Sequence, residues 1–597
     1  MRHRRGIVVI VLAMIALGIL GVGLSGWSPI TLAGRVLNTA RSAHNPPGTL
    51  VLERRGGERA RAVMVSDSGN ASAEGKQPDA AGWSSYNRTL NSQRYSPLKQ
   101  INTETVAALK VLCSYDINQR EMFETGPILV DGALIGTTAF DVFSIDAANC
   151  RENWRTHEDY KPSIPLLVNR GAAYVDGRLF RGTLDGRVLA YDARTGRRLW
   201  ATAIGDPKFE RVVAAPIVWD GLVFIGIAGG DAKGVKGRMY ALSANNGEIV
   251  WETYLIPRAP EDSTRGPQGS MPPSAVSTWG NGPDVPISGG ATWTSYTLDP
   301  DTGRLYVPAA NPSPDYVLHL REGANLYTNC VVVLDAKTGN YITHFSAAPR
   351  DWHDWDVSNT PAIIKTRGGK QVLSFAPKNG HLYGFDLQTS QLLYRSPVTR
   401  IENANVPLST DKSVHFCPGS VGGGEWNGVA FDPRTNLLLS GQAEWCSTVR
   451  LAPEAQTKAT PTGQTWMGHL KSGPLDLFGT PDPHQNWAGW LYATDADSGE
   501  WTWRLKTNYP ILGGVTATAG GIVLFGDAGG NFYAVDTRNG QRLWHQKLDG
   551  AIGGGVITYM AHGSQKVAVA AGMTGIAWPT EQATGKIVIL GLGDSPQ

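Results

Sequence analysis

The sequence predicts an all-β protein: an eight-bladed β-propeller with tryptophan-docking repeats, preceded by an N-terminal membrane segment. Three observations lead there. The 597 residues include 71 glycines and 19 tryptophans but only 18% charged side chains, a composition of tight turns and apolar strands rather than helices. One phrase recurs seven times: an apolar strand that mostly ends in Asp, a short turn usually carrying Gly, then a strand most often ending in Trp. The start of the chain, finally, joins the basic MRHRR to an uncharged apolar run of about twenty residues, enough to cross a bilayer as a helix.

In chain order, residues 1–26 read as a signal peptide or a signal-anchor helix. The exit GLSGW is a poor cleavage site, so a cleaved signal and an inner-membrane anchor through residues 6–25 both stand. Either one sends the rest of the chain across the membrane, so the protein is expected in the periplasm. Residues 27–80 are rich in Pro, Gly, Ser, Ala and Arg without a sustained period, and read as a poorly ordered tether.

The propeller is expected over 81–597. Its phrase appears as SIDAANCRENW (144–154), AYDARTGRRLW (190–200), ALSANNGEIVW (241–251), VLDAKTGNYIT (333–343), GFDLQTSQLLY (384–394), ATDADSGEWTW (493–503) and AVDTRNGQRLW (534–544). Each predicts a β-hairpin, because Asp and Asn open turns and Gly supplies positive φ. Most copies end about fifty residues apart, the length of a four-stranded blade. Two gaps are about double. GVAFDPRTNLLLSG (428–441) places a further blade in one, and TSYTLDPDTGRLYVPA (294–309) with a long insertion fills the other. The strand GKIVILGL (585–592) is expected to complete a blade begun near the N-terminus, which closes the ring. The repeat tryptophans are assigned to packing between blades.

Fifty-four basic against fifty-two acidic residues, a formal charge of +2, exclude nucleic acid as a principal partner. Export permits disulfides among the five cysteines. Cys113 and Cys150 flank the first hairpin region and Cys417 and Cys446 bracket another, while Cys330, in NCVVVLD, reads as a small buried hydrophobe. The chain has no Cys-x-x-Cys-His stretch for a covalent c-type haem and no Cys-x-x-Cys pair for zinc.

The phrase AxDxxTGxxxW, the opening WSSYNRTLNSQRYSPLKQIN (83–102) and the run GATWTSYTLDPDTGRLYVPAANPSPD (290–315) resemble the pyrroloquinoline quinone (PQQ) dependent alcohol dehydrogenases. The resemblance extends from about residue 81 to the C-terminus, and implies eight blades with PQQ and a divalent cation on the axis. Trp293 matches the tryptophan on which the planar quinone stacks. Gly229 and Gly230 match glycines close to the cofactor, and Glu124 and Arg170 match polar contacts to its carboxylates and quinone edge. Lys378 matches the cation at the quinone oxygens. Asp231, standing where the family has a glutamate, joins Asn311 and Asp356 as the implied metal ligands, and Asp356 matches the catalytic aspartate. The resemblance also implies a disulfide between Cys417 and Cys446.

Several positions depart from the family. Ile164-Pro165 stands where many relatives have vicinal cysteines, Glu425-Trp426-Asn427 where Asn often flanks a Trp, and Leu512 where a tryptophan covers the cofactor's second face. Ser358 replaces the further aspartate of the lanthanide-using branch, so the site is expected to take Ca2+.

The implied reaction is oxidation of a small-molecule alcohol to a carbonyl, with Asp356 as the base and Lys378 and the cation polarising the quinone. Electrons would pass to a separate carrier such as a cytochrome c. A PQQ-dependent aldose dehydrogenase and a non-catalytic envelope scaffold are the alternatives. Within DWHDWDVSNTP (351–361), only Asp356 is assigned chemistry. Asp351 and Asp354 read as turn carboxylates, His353 as structural, and Trp352 and Trp355 as packing.

Overall fold

The computed structural model describes residues 49–55, 82–162, 166–473 and 476–592. Eight sheets of four or five strands follow one another along these residues, each a blade of antiparallel hairpins. In seven of them four neighbouring strands follow one another in chain order. The second blade, for example, takes Ala173–Val175, Arg178–Gly182, Arg187–Asp192 and Arg198–Ala203 in order from the innermost strand outward.

The recurring phrase forms the outer hairpin of seven blades. The two strands of every copy slip register at the same point, a β-bulge that sharpens the local twist. The Asp carboxylate seeds the turn: Asp192 Oδ1 accepts the Thr195 backbone N–H at 2.8 Å, and Asp335 Oδ1 accepts that of Thr338 at 2.9 Å.

The terminal aromatic then reaches the next blade. Trp154 Nε1 donates to Ala193 O, Trp200 Nε1 to Ala244 O, Trp251 Nε1 to Ala336 O and Trp503 Nε1 to Thr537 O, at 2.9 to 3.3 Å. Each ring lies over the turn glycine of that neighbour. At Gly196, with φ +70°, an added Cβ would fall 2.4 Å from the Trp154 ring, so only glycine meets both the backbone and the packing demand. The apolar clusters lie between neighbouring blades: one joins Phe224 and Trp251 of the third to Leu305 and Val332 of the fourth.

The wide gaps come from long connections between blades, Tyr254 to Thr297 and Pro397 to Ala430, and from insertions between the second and third strands that follow, Pro308 to Cys330 and Glu444 to Ala488. Residues 428–441, expected to belong to a further blade, supply Ala430–Asp432 and part of Leu437–Glu444, the two inner strands of the blade that ends at Trp501–Thr507. The eighth blade is the closure. Val556–Ala561, Ser564–Ala571 and Lys586–Leu592 form its inner strands and Leu109–Asp116 its outermost, so the chain ends are joined in one sheet. The phrase marks outer hairpins only, so it counts seven blades and misses the one assembled from both ends.

Two expectations about the N-terminal region are corrected. Leu50–Arg54, within the expected tether, is a strand paired antiparallel to Trp503–Thr507 at a blade's outer edge. The membrane segment and the anchoring built on it are withdrawn. Among the described residues no helix is long and apolar enough to cross a membrane, and the one α-helix, Glu454–Lys458, has five residues where a span needs about twenty. The apolar run 6–25 lies outside the described residues. Cys113–Cys150 and Cys417–Cys446 are disulfides, and Cys330 is a buried thiol.

Candidate active site

Antiparallel order gives each blade two unlike ends. The turns between its first two and last two strands lie at one end. The connections from strand two to strand three, and from one blade to the next, lie at the other. A cavity of about 160 Å3 is lined from that second set alone. Met122, Arg170, Arg211, Trp293, Asp356 and Glu425 precede innermost strands, whereas Gly229, Gly230, Asp231, Lys378 and Ala577 follow second strands. Segments distant in sequence therefore converge near the axis.

The structure brings the expected cofactor contacts together here. Arg170 Nη2 lies 2.7 Å from Glu124 Oε2, and its Nη1 donates to Trp293 O at 3.0 Å. The guanidinium is also 4.6 Å from the Trp293 ring centroid and 5.4 Å from that of Trp426. Lys378 Nζ is 5.6 Å from the Trp293 centroid. The glycines leave no room beside the wall: a Cβ on Gly230 would meet Ala291 Cβ at 2.9 Å.

Asp356 is held at both oxygens. Its Oδ1 accepts the Asn311 backbone N–H at 2.8 Å, and its Oδ2 lies 2.7 Å from Lys378 Nζ. Asn311 comes from a segment pinned by the short ladder of Ser288–Gly289 with Pro312–Ser313. Ser358 turns away and donates to Gly424 O. Asp351 caps the turn as expected, accepting from the His353 and Trp355 backbones at 3.0 and 2.9 Å, and His353 stacks on Trp355 at 3.9 Å. Leu512 is buried in the apolar cluster around the cavity, while Ile164 and Pro165 lie outside the described residues.

Sequence reasoning missed four charged groups. Asp354 is no surface turn residue: it is buried, lines the cavity, sits at φ +63°, and is 3.5 Å from Lys378 Nζ. Asp315, four residues after Asn311, is wholly buried. One carboxylate oxygen of each of Asp231, Asp315 and Asp354 lies within 4.8 Å of the other two. Arg211 and Glu425 complete the lining. The available signal was Asp in a run already rich in motif residues, AANPSPD and DWHDWD, but only the fold shows that these two point inward.

Burial dominates the electrostatics. It pushes Asp231 up to about 6, with Asp356 adding to the rise and Lys378 and Arg211 opposing it. Asp315 and Asp354 are driven well above the usual carboxylate range by burial and by the neighbouring acids. Burial also raises Glu124 to about 7, against the pull of Arg170, and Glu425 to about 8, against that of Lys378. Burial alone would lower Lys378, but Asp354 and Asp356 more than reverse that and hold it well above an ordinary lysine.

Buried polar atoms without hydrogen-bond partners gather in this region: Glu124 Oε1, Arg170 Nε, Glu425 Oε1, Asn311 Oδ1, Asp315 Oδ2 and Asp354 Oδ2. Together with an indole face and two cations, they suit a flat, polyanionic cofactor and a hard cation.

Comparison with known proteins agrees. The family described as "Glucose/ethanol/alcohol dehydrogenase, beta-propeller domain" matches residues 83–413, and "Outer membrane protein assembly factor BamB" matches the shorter stretch 488–588. The chain is similar to the dehydrogenase subunit of alcohol dehydrogenase (quinone) from Gluconobacter oxydans, 31% identical over 83% of this chain and 71% of that protein. It is similar also to the lanthanide-dependent methanol dehydrogenase of Methylacidiphilum fumariolicum, 28% identical over 83% and 85%. The solved quinohemoprotein alcohol dehydrogenase ADHIIG from Pseudomonas putida superposes with a TM-score of 0.78 at 27% identity, covering 87% of this chain and 81% of that one. The residue run, the propeller and its axial constellation converge: the chain belongs to the PQQ-dependent alcohol dehydrogenase family.

Proposed function

We infer that the protein is a periplasmic quinoprotein dehydrogenase that oxidises an alcohol to a carbonyl compound. The observation that carries this reading is a buried Asp356–Lys378 pair facing a cavity whose wall, beside its charged groups, carries the apolar side chains of Met122, Leu166, Val168, Val421, Phe478 and Trp578. Those apolar side chains favour the carbon chain of an alcohol over the many hydroxyls of an aldose. Two disulfides fit an oxidising compartment.

PQQ, when bound, supplies the two-electron acceptor. Trp293 offers the surface for its plane, and Arg170, Glu124 and the tight Gly229–Gly230 backbone frame its polar edge. Asp231, Asn311 and Asp356 are the expected ligands of a hard cation such as Ca2+. Asp356 takes the hydroxyl proton. Lys378, paired with Asp356 Oδ2, orients that carboxylate and keeps a positive charge beside the reacting oxygens. Its raised affinity for protons makes Lys378 unsuitable as the base. Electrons leave to a separate carrier such as a cytochrome c.

Reconstitution tests the reading. Purified protein is loaded with PQQ and Ca2+ and assayed with an artificial acceptor against primary alcohols, secondary alcohols and aldoses. Turnover of alcohols is expected. Failure to bind PQQ at any concentration, or faster turnover of aldoses, would overturn it.

A further inference from the structure

We propose that Arg211 is a carboxylate-binding residue of this cavity, its guanidinium receiving one of the acid groups of the bound cofactor in addition to the contact that Arg170 offers. The inference rests on the reading that the cavity holds PQQ.

Among the described residues three cations line the cavity: Arg170, Arg211 and Lys378. Two of them already have acids. Arg170 Nη2 is paired with Glu124 Oε2 at 2.7 Å, and Lys378 Nζ lies 2.7 Å from Asp356 Oδ2 and 3.5 Å from Asp354 Oδ2. Arg211 differs. Among the described residues its side chain makes no hydrogen bond and no ion pair, and its Nε is buried without a partner. A guanidinium carries five N–H donors in a planar fork, and here the whole fork is unused.

The fold fixes where that fork sits. The Arg211 and Ala228 backbones exchange two hydrogen bonds, at 3.2 and 2.7 Å, which staple the entry of the third blade to the exit of its second strand. Next along that exit come Gly229 and Gly230, which frame the polar edge of the cofactor. Gly229 holds φ +110°, and a Cβ there would lie 2.7 Å from Phe209 O and 3.4 Å from Arg211 Nη1. The guanidinium therefore lies against bare glycine backbone, where no side chain keeps a ligand away from it.

Nothing in the chain answers its charge directly. Asp231 is the acid that acts on Arg211, opposing the loss of proton affinity that burial causes, yet the two form no ion pair. A partly buried cation without a counter-ion is unfavourable in the empty cavity, and an arriving carboxylate relieves it. PQQ is a tricarboxylate, and Arg170 already shares its charge with Glu124. The fork of Arg211 fits a carboxylate in a bidentate pair. An acidic substrate would offer the same chemistry, but the place of Arg211 against the glycine wall assigns it to the cofactor.

The test titrates PQQ into the full chain with Ca2+ present, follows the quenching of tryptophan fluorescence, and uses the trimethyl ester of PQQ as a second probe. Arg211→Met keeps the aliphatic stem and removes the fork, whereas Arg211→Lys keeps the charge alone. PQQ binding is expected to weaken by at least about tenfold in Arg211→Met, with Arg211→Lys between it and the wild type. The ester lacks the charges, so its affinity should differ by less than about twofold between wild type and Arg211→Met. Equal weakening of both probes would mark a residue that only supports the wall, and would overturn the proposal. If the bulkier ester does not enter, salt decides: the fall in PQQ affinity with rising NaCl should be shallower in Arg211→Met. Without cofactor the melting temperature of that variant should match or exceed the wild type, because the guanidinium has no internal partner to lose. If Arg211→Met fails to fold, Arg211→Gln takes its place. Unchanged PQQ affinity, with KM raised for a hydroxy acid but not for the alcohol of the same chain length, would move the fork to the substrate and overturn the proposal. Unchanged PQQ affinity alone would also overturn it, with the PQQ reading intact. No PQQ binding to the wild type would overturn both.

Discussion

The two ends of this propeller are built from the same strands and differ in almost every other respect. At the end of the regular turns, one solution is repeated: Asp seeds the bend, Gly takes positive φ, and the indole of the preceding blade docks on it with its N–H bonded to a carbonyl. At the other end no two connections are alike. There the polar groups are buried, several oxygens lack partners, and Asp354 holds a strained backbone. The first end meets its hydrogen bonds internally and gains stability. The second leaves them open and gains the capacity to bind.

The comparison breaks most readily at Asp356. Asp356→Asn is expected to lower turnover of the reconstituted enzyme by about 10²- to 10⁴-fold while its melting temperature and PQQ binding hold, as steady-state kinetics and calorimetry would show. Trp251→Ala should do the reverse. It removes a buried indole and its 2.9 Å bond to Ala336 O, costing about 3–5 kcal/mol in denaturant unfolding with kcat per folded molecule unchanged. A loss of kcat in that variant would show that the two ends are not independent.

Glu425 sharpens the contrast through pH. Its carboxyl is raised from 4.5 to about 8 by burial, so the folded protein holds a proton that the unfolded chain has released. Its contribution to stability is therefore fully present below pH 4.5 and is lost as pH rises through about 8. Without cofactor, unfolding free energy should decline across that window, and Glu425→Gln should flatten the decline. An unchanged slope in the variant would remove Glu425 as its source. The smallest expected effect is Gly196→Ala, where both the positive φ and the 2.4 Å approach to Trp154 point to a loss of more than about 1 kcal/mol with no change at the cavity.

The regular end was legible residue by residue. Phrases such as AYDARTGRRLW carry their hairpin locally, and their Trp and Gly predict the docking that the structure shows. Trp293, Arg170, Lys378 and Asp356 were legible through resemblance, and the fold gathers them in one cavity. Asp354 and Asp315 were not. A buried acid and a turn acid are the same letter, and DWHDWD contains both: Asp351 caps its own turn, while Asp354, three residues on, faces inward. The gap between 394 and 503 was read as a missing blade because a long connection between blades and an insertion between strands two and three lengthen the repeat without adding an outer hairpin to it.

By itself, then, the sequence determined the repeating hairpins, their bulged turns and their docking partners, because each depends on contacts within a few residues or with the next copy of one pattern. Only the tertiary structure decided which strands close the ring and which carboxylates come to lie side by side. Residues 231, 315 and 354 leave or enter different blades, and antiparallel order delivers all three connections to the same end of the axis. Their proximity follows from closure of the whole ring, and no local run of residues encodes it.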